Sequence, residues 1–323
     1  MKSPCHEVAL ATNLRPEERG REPGRSNGRV RIKDGAAGPG NLLGMPDTSA
    51  APTLRDVVAI LERVYDPSWA ESWDAVGLVC GDPEEPVRTV GFAVDPVAAV
   101  IDEALERGAD LLVTHHPLFL RGVHGVPATT FKGRLIHKLI RGGAALFTAH
   151  TNADSADPGV SDALAHALDL HDLRPLEPRA ATPELGIGRV GELAAAEPLS
   201  AFAARVAAAL PATSGGVRVA GDPDRPVRRV AVCGGAGDTL FGAVRTSGAD
   251  VYVTADLRHH PASEALEAGG PALVDVAHWA SEWPWLEHAA STLRSTLAAG
   301  GTNVDTYVST LVTDPWTAHL AAG

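Results

Sequence analysis

The chain repeats itself. Shifted by 140 residues, Arg88-Thr-Val90 lies on Arg228-Arg-Val230, Gly108-Ala-Asp110 on Gly248-Ala-Asp250, and Val113-Thr114 on Val253-Thr254, with no gap across the span. Each copy reads strand, helix, Gly-Ala-Asp, strand, Thr. A repeated element order constrains the fold strongly, because each unit must bury its apolar surface against a neighbour built the same way. The expectation is two related α/β lobes of three-layer type facing each other across a cleft. Their bounds are set at 49–180 and 181–323.

Short apolar runs alternate with helical patterns throughout. The runs are Thr89–Val94, Asp110–Thr114, Ala144–Thr148, Arg189–Leu193, Arg229–Cys233, Val251–Thr254 and Ala272–Val276. Helical patterns fill most of the gaps, among them Val97–Arg107 and Leu199–Leu210. Such alternation predicts largely parallel sheets covered by helices. Order begins at Thr53, an N-cap ahead of Leu54, Val57, Val58, Leu61 and Val64 on one helical face. Gly108 and Gly142 sit where helix-closing glycines sit.

Residues 1–48 differ from the rest. They are net basic, rich in Gly, Pro, Arg and Asn, and lack any apolar period, which reads as a disordered, dispensable tail. Translation starting at Met45 would fit the same facts. The whole chain has a formal charge of −12 and a pI near 5.5, with 21% charged and 45% hydrophobic residues. That balance disfavours nucleic acid and anionic membranes as partners. No run of ~18 apolar residues is present for a membrane span. Cys5, Cys80 and Cys233 are far apart and form no CxxC, which fits a reducing, cytoplasmic setting and excludes a thiolate zinc knuckle.

The histidines are not scattered. His115 and His116 follow the run ending at Thr114. His150 follows the run ending at Thr148, with Asp154 four residues on. His278 follows the run ending at Val276, with Glu282 four residues on. His259 and His260 follow the run ending at Thr254. Every cluster therefore lies just past the carboxyl end of a strand, the edge where open α/β sheets bind ligands. The pattern His-x-x-x-carboxylate occurs twice, and two facing lobes would supply enough imidazoles and carboxylates for two divalent ions. Neutral imidazole and carboxylate suit Zn, Mn, Fe, Co or Ni. Singly, each residue has a blander role: a solvated histidine, an idle member of an extended His-His pair, or a carboxylate capping the helix near Pro158 or Pro284. It is the shared placement that points to metal.

Other signals are weaker. Gly234 to Asp238 reads first as a tight turn, and second as a backbone cradle for a phosphate. Trp279, Trp283 and Trp285 read as packing or subunit contacts. No G-x-S-x-G elbow accompanies Ser281.

The sequence resembles the NIF-three-like family, commonly labelled GTP cyclohydrolase I type 2 homologues. The matching pieces are Ser72-Trp-Asp-Ala-Val-Gly-Leu78 with Gly81, Thr114-His-His-Pro117, His150-Thr-Asn-Ala-Asp154, Thr254-Ala-Asp-Leu-Arg-His-His260 and His278-Trp-Ala-Ser-Glu282. They cover Thr53 to about Val308 in the family's order. The resemblance implies two α/β lobes, a dinuclear metal centre and a ring-shaped homo-oligomer, a hexamer. By position, His116 and Asp154 would hold one metal, His115 and His278 the other, and Glu282 would bridge them. His150 matches a family histidine beside the metals. Two departures stand out. The stretch from Asp154 to Arg189 is too short for the inserted domain of longer relatives, and Ala75 stands where many relatives have Asn.

Two functions follow. In the first, two divalent ions activate water against a small phosphorylated or nucleotide-like substrate, with His150, His259 or His260 moving the proton. The family label suggests guanine-ring opening, but no residue selects guanine, so metal-dependent hydrolysis is the wider expectation. In the second, the metals staple the lobes of a non-catalytic ring scaffold. The absence of a cysteine closing the site favours the first.

Overall fold

The computed structural model describes residues 51–320. The proposed tail, 1–48, and the alternative start at Met45 lie outside the described residues. The chain opens with α1 (Leu54–Val64), β1 (Gly77–Cys80), β2 (Thr89–Ala93), α2 (Ala98–Glu106), β3 (Leu111–Thr114), α3 (Phe131–Gly142) and β4 (Ala145–Thr148). It continues with α4 (Thr151–Ser155), α5 (Val160–Ala167), β5 (His171–Pro178), β6 (Gly186–Pro198), α6 (Leu199–Ala209), β7 (Arg218–Ala220) and β8 (Pro226–Ala236). It ends with α7 (Phe241–Ser247), β9 (Val251–Ala255), α8 (His259–Glu267), β10 (Ala272–Val276), α9 (His278–Glu282), α10 (Pro284–Ala299) and β11 (Asp305–Val308).

Two sheets form, ordered β1-β4-β3-β2-β11 and β5-β6-β8-β9-β10-β7. The fold is α/β with two related lobes, and the repeat explains their likeness. β2, β3 and β4 run parallel, as do β8, β9 and β10. Each set carries an antiparallel edge strand, β1 on β4 and β7 on β10. The repeated Gly-Ala-Asp has a local purpose. Asp110 accepts the amides of Arg88 and Thr89 at 2.7 and 2.9 Å, and Asp250 those of Arg228 and Arg229 at 2.9 and 2.8 Å. In each copy the aspartate just before one strand ties that strand to its neighbour, at the start of β2 and inside β8.

The sheets exchange strands around the sequence midpoint. β5, before residue 180, joins the second sheet, and β11, at the C-terminal end, pairs in parallel with β2 of the first. Side-chain alternation then sorts the core. Leu111 and Val113 of β3, and Val251 and Val253 of β9, face a shared core with α1, α5, α6 and α10. Leu112 faces a separate core with α2 and α3, and Tyr252 one with α7 and α8.

Local signals hold with one correction. Thr53 caps α1 in a reciprocal box with Asp56. The left-handed residue that ends α3 is Gly143, not Gly142, which is the last helical residue. Among the described residues no helix is long and apolar enough to cross a membrane. Cys80 and Cys233 are free thiols.

Candidate metal centre

The carboxyl ends of both sheets carry the histidines. The amides of His115 and His116 extend the ladder beyond β3, donating to Ala93 and Val94 carbonyls at 3.1 and 2.9 Å. The chain bends there, so the two rings do not part to opposite faces. Their centroids are 5.1 Å apart. His150 caps α4, and His278 opens α9. Both helices span five residues and end beside the carboxylates of the repeated motif, Asp154 and Glu282.

Each imidazole is held by one nitrogen. Nδ1 of His115 donates to the Ala149 carbonyl at 2.9 Å. Nδ1 of His116 donates to Asp95 at 2.7 Å, that of His150 to Asp74 at 2.9 Å, and that of His278 to Asp256 at 2.7 Å. Fixing Nδ1 orients the ring and leaves Nε2 as the ligand atom, the arrangement common around metal-binding histidines. The Nε2 atoms gather on Glu282. Its Oε1 lies 2.9 Å from His278 and 3.4 Å from His115, and its Oε2 lies 3.1 Å from His116. Asp154 Oδ1 is 3.7 Å from His115 Nε2.

Electrostatics show what this cluster lacks. Burial works against charge on His116 and His278, yet Glu282 with Asp95 raises His116 to about 10, and Glu282 with Asp256 raises His278 to about 11. Glu282 is held well below the usual carboxylate range by the imidazoles, against the effect of its own burial. Burial raises Asp154. Asp74 is buried too, but hydrogen bonds from His150 and Thr151 hold its carboxyl low. A group of carboxylates in a buried pocket thus calls for compensating positive charge. His115 Nε2 and Glu282 Oε2 are buried and lack a well-formed hydrogen bond. A divalent cation satisfies both needs. The convergent ligand atoms form two sets, His115/His116/His150 and His116/His278/Glu282, each within 4.8 Å. A His/Glu cluster of this chemistry could hold metal.

Sequence reasoning missed the supports. Asp74 arrives from a loop far from His150 in sequence. Asp95 and Asp256 were hidden from the repeat as well, since the 140-residue shift lays Asp256 on His116 and Gly235 on Asp95, pairs of unlike residues. Gly235 is the back wall. Its φ is +70°, its amide donates to Ser281 Oγ at 2.8 Å, and its carbonyl accepts from Thr254 at 2.9 Å. That amide is therefore not offered to a phosphate. Trp279 and Trp285 are buried, and Trp285 donates to Tyr65 at 3.1 Å. His259 and His260 are exposed at the start of α8 and meet edge to face with ring centroids 5.1 Å apart, outside the convergent sets.

The profile of the Duf34/NIF3 (NGG1p interacting factor 3) family matches residues 52–315. The chain belongs to this family. A "GTP cyclohydrolase 1 type 2 homolog" of Streptomyces coelicolor is 55% identical over 273 residues, covering 84% of this chain and 96% of that protein. A protein of the same description from Mycobacterium leprae is 41% identical, covering 81% of this chain and 94% of its own. That alignment runs over 369 positions, more than this whole chain, so the mycobacterial NIF3 relative carries residues that this chain lacks. Among solved NIF3 relatives, a Bacillus cereus protein related to NIF3 superposes with a TM-score of 0.78 at 26% identity, covering 83% of this chain and 99% of that one. A Staphylococcus aureus protein gives 0.77 at 28% identity, over 83% and 99%.

Proposed function

We propose that the chain is a divalent-metal-dependent hydrolase of a small phosphorylated or nucleotide-like substrate, with two ions held by His115, His116, Asp154, His278 and Glu282. The observation that carries this reading is the convergence of Nε2 atoms on the buried Glu282 carboxylate while every Nδ1 is tied elsewhere. Bound divalent ions supply Lewis acidity toward a substrate oxygen and acidify water. Asp95 and Asp256 keep His116 and His278 oriented, and Glu282 lies between the imidazoles that reach it from β3 and from α9. His150 is the favoured proton carrier, because Asp74 fixes its Nδ1 and leaves Nε2 free beside His115 and His116. His259 and His260 serve that role only for a substrate that extends toward α8.

Open access supports turnover over a purely structural metal. A cavity of about 770 Å³ reaches His116 and His278, leaving room for substrate beside the ligands. The homo-hexameric ring and the cytoplasmic setting come with the family resemblance and belong to this proposal. Phe131 and Ile140, about 60% exposed on α3, offer apolar surface for such contacts. The test is elemental analysis of the purified full chain, followed by a panel of phosphoesters and nucleotides with and without chelator. We expect about two divalent ions per chain and chelator-sensitive hydrolysis. Bound metal without turnover on the whole panel would favour the scaffold, and no metal after soaking in Zn or Mn would end both readings.

A further inference from the structure

The cavity beside the cluster has walls that the hydrolase reading leaves without a role. Its volume lies within the ~300–1,000 Å³ of small-molecule sites. Two side chains of its lining are Arg218 and Trp316.

Arg218 is a held cation. Its Nε lies 2.7 Å from Asp275 Oδ2, and its Nη2 reaches the same oxygen. Asp275 is itself fixed, because its Oδ1 accepts the Leu257 amide at 3.0 Å. The Arg218 side chain is nevertheless 70% exposed, and among the described residues its Nη1 engages no partner. Trp316 is 72% exposed on the same cavity. A large aromatic face left in water beside a pocket is a stacking surface for a planar ligand. The acids Asp95, Asp256 and Asp275 of the wall are paired with His116, His278 and Arg218.

We propose that this cavity is a subsite for a planar heterocyclic anion of the nucleotide type. Arg218 receives the anionic group and Trp316 the ring face. His116 and His278 line the same cavity, so a ligand held there lies against the cluster. The inference rests on the hydrolase reading for the chemistry that follows binding, and narrows that reading's phosphorylated or nucleotide-like substrate to the nucleotide type.

Equilibrium binding to the metal-loaded full chain tests it, by calorimetry. The probes are AMP, GMP, adenosine and ribose 5-phosphate. The parent should bind AMP and GMP at least about tenfold more tightly than ribose 5-phosphate or adenosine. Trp316→Ala should weaken AMP and adenosine by about tenfold and leave ribose 5-phosphate unchanged. Arg218→Gln should weaken AMP and ribose 5-phosphate but not adenosine, and Arg218→Lys should restore part of the loss. Metal content and circular dichroism of each variant should match the parent. The proposal is overturned if Arg218→Gln and Trp316→Ala bind every probe as the parent does, or if the metal-loaded parent fails to distinguish AMP from ribose 5-phosphate. Discriminated binding without turnover keeps the subsite and sinks the hydrolase. Hydrolysis with equal preference for planar and non-planar phosphoesters keeps the hydrolase and sinks the subsite.

Discussion

A side chain on Gly235 would place its Cβ 2.5 Å from Oε1 of Glu282 and 3.1 Å from Nε2 of His278. The glycine is required twice, by that contact and by its left-handed backbone. Gly235→Ala therefore has to move the carboxylate or the strand end, and the backbone conformation alone costs about 1–2 kcal/mol for a non-glycine residue. We expect a folded protein that binds its metal at least about tenfold more weakly. Elemental analysis after dialysis reads the outcome. Parent-like metal content would mean that the cluster tolerates a displaced Glu282.

Glu282→Gln removes the charge that lies between His115, His116 and His278. Cations held close together in a buried pocket repel strongly without it. Metal content should fall, the more weakly held ion leaving first, and chelator-sensitive hydrolysis should vanish. The thermal transition of the metal-free chain should stay cooperative, since the shared core does not depend on one ligand. Retention of full metal content and activity would remove Glu282 from the centre.

Asp95→Asn tests the tether rather than the ligand. Asp95 holds His116 Nδ1 and also accepts the hydroxyl of Thr313. The amide keeps an acceptor but loses the charge that favours the oriented ring. Metal affinity should drop about 10–100-fold with the fold unchanged, as for other outer partners of metal-binding histidines. Competition against a chelator of known affinity measures it, and an unchanged affinity would show that His116 needs no anchor.

Tyr307 gives a pH prediction away from the cluster. Burial, with Glu103 nearby, pushes its phenol up to about 12 from the usual 10.0, against the pull of Arg107. Its hydroxyl is buried without a partner and abuts Gly91. The neutral phenol is favoured in the folded state. Its contribution is thus complete below pH 10.0 and is lost as pH rises through about 12. Tyr307→Phe abolishes that alkaline loss and removes an unsatisfied hydroxyl, so we expect the variant to be about 1 kcal/mol more stable at neutral pH. Urea titrations at pH 7 and pH 11 check both statements. A less stable variant would show that the hydroxyl has a partner in solution.

Much of this architecture is legible in the sequence, for a physical reason. Strands buried on both faces read as continuous apolar runs, so β2, β3, β4, β8, β9 and β10 announce themselves, and a repeat at fixed spacing pairs them. The edge strands do not. His171–Pro178 contains two prolines and three charged residues, and β7 is only three residues long. The histidines are legible because they follow these runs. Their supports are not, because Asp74 meets His150 across a span of 76 residues that no local pattern encodes. The glycine run after Cys233 was visible, but its use as a wall for Glu282 needs the two strand ends to be brought together first.

The pairing of β11 with β2 has a consequence for biosynthesis. Asp305 aligns with Thr89 in that register, so β2 leaves the ribosome long before its outer neighbour exists. Until then it is an unprotected edge, open to pairing with another nascent chain. Among the described residues the first sheet is therefore finished by the last strand translated, not by its own half of the message. His278 and Glu282 also emerge in that final stretch. The Glu282 end of the cluster is accordingly supplied only late in synthesis, and a ribosome stalled before α9 would display a nearly complete first sheet without its late strand and without His278 and Glu282.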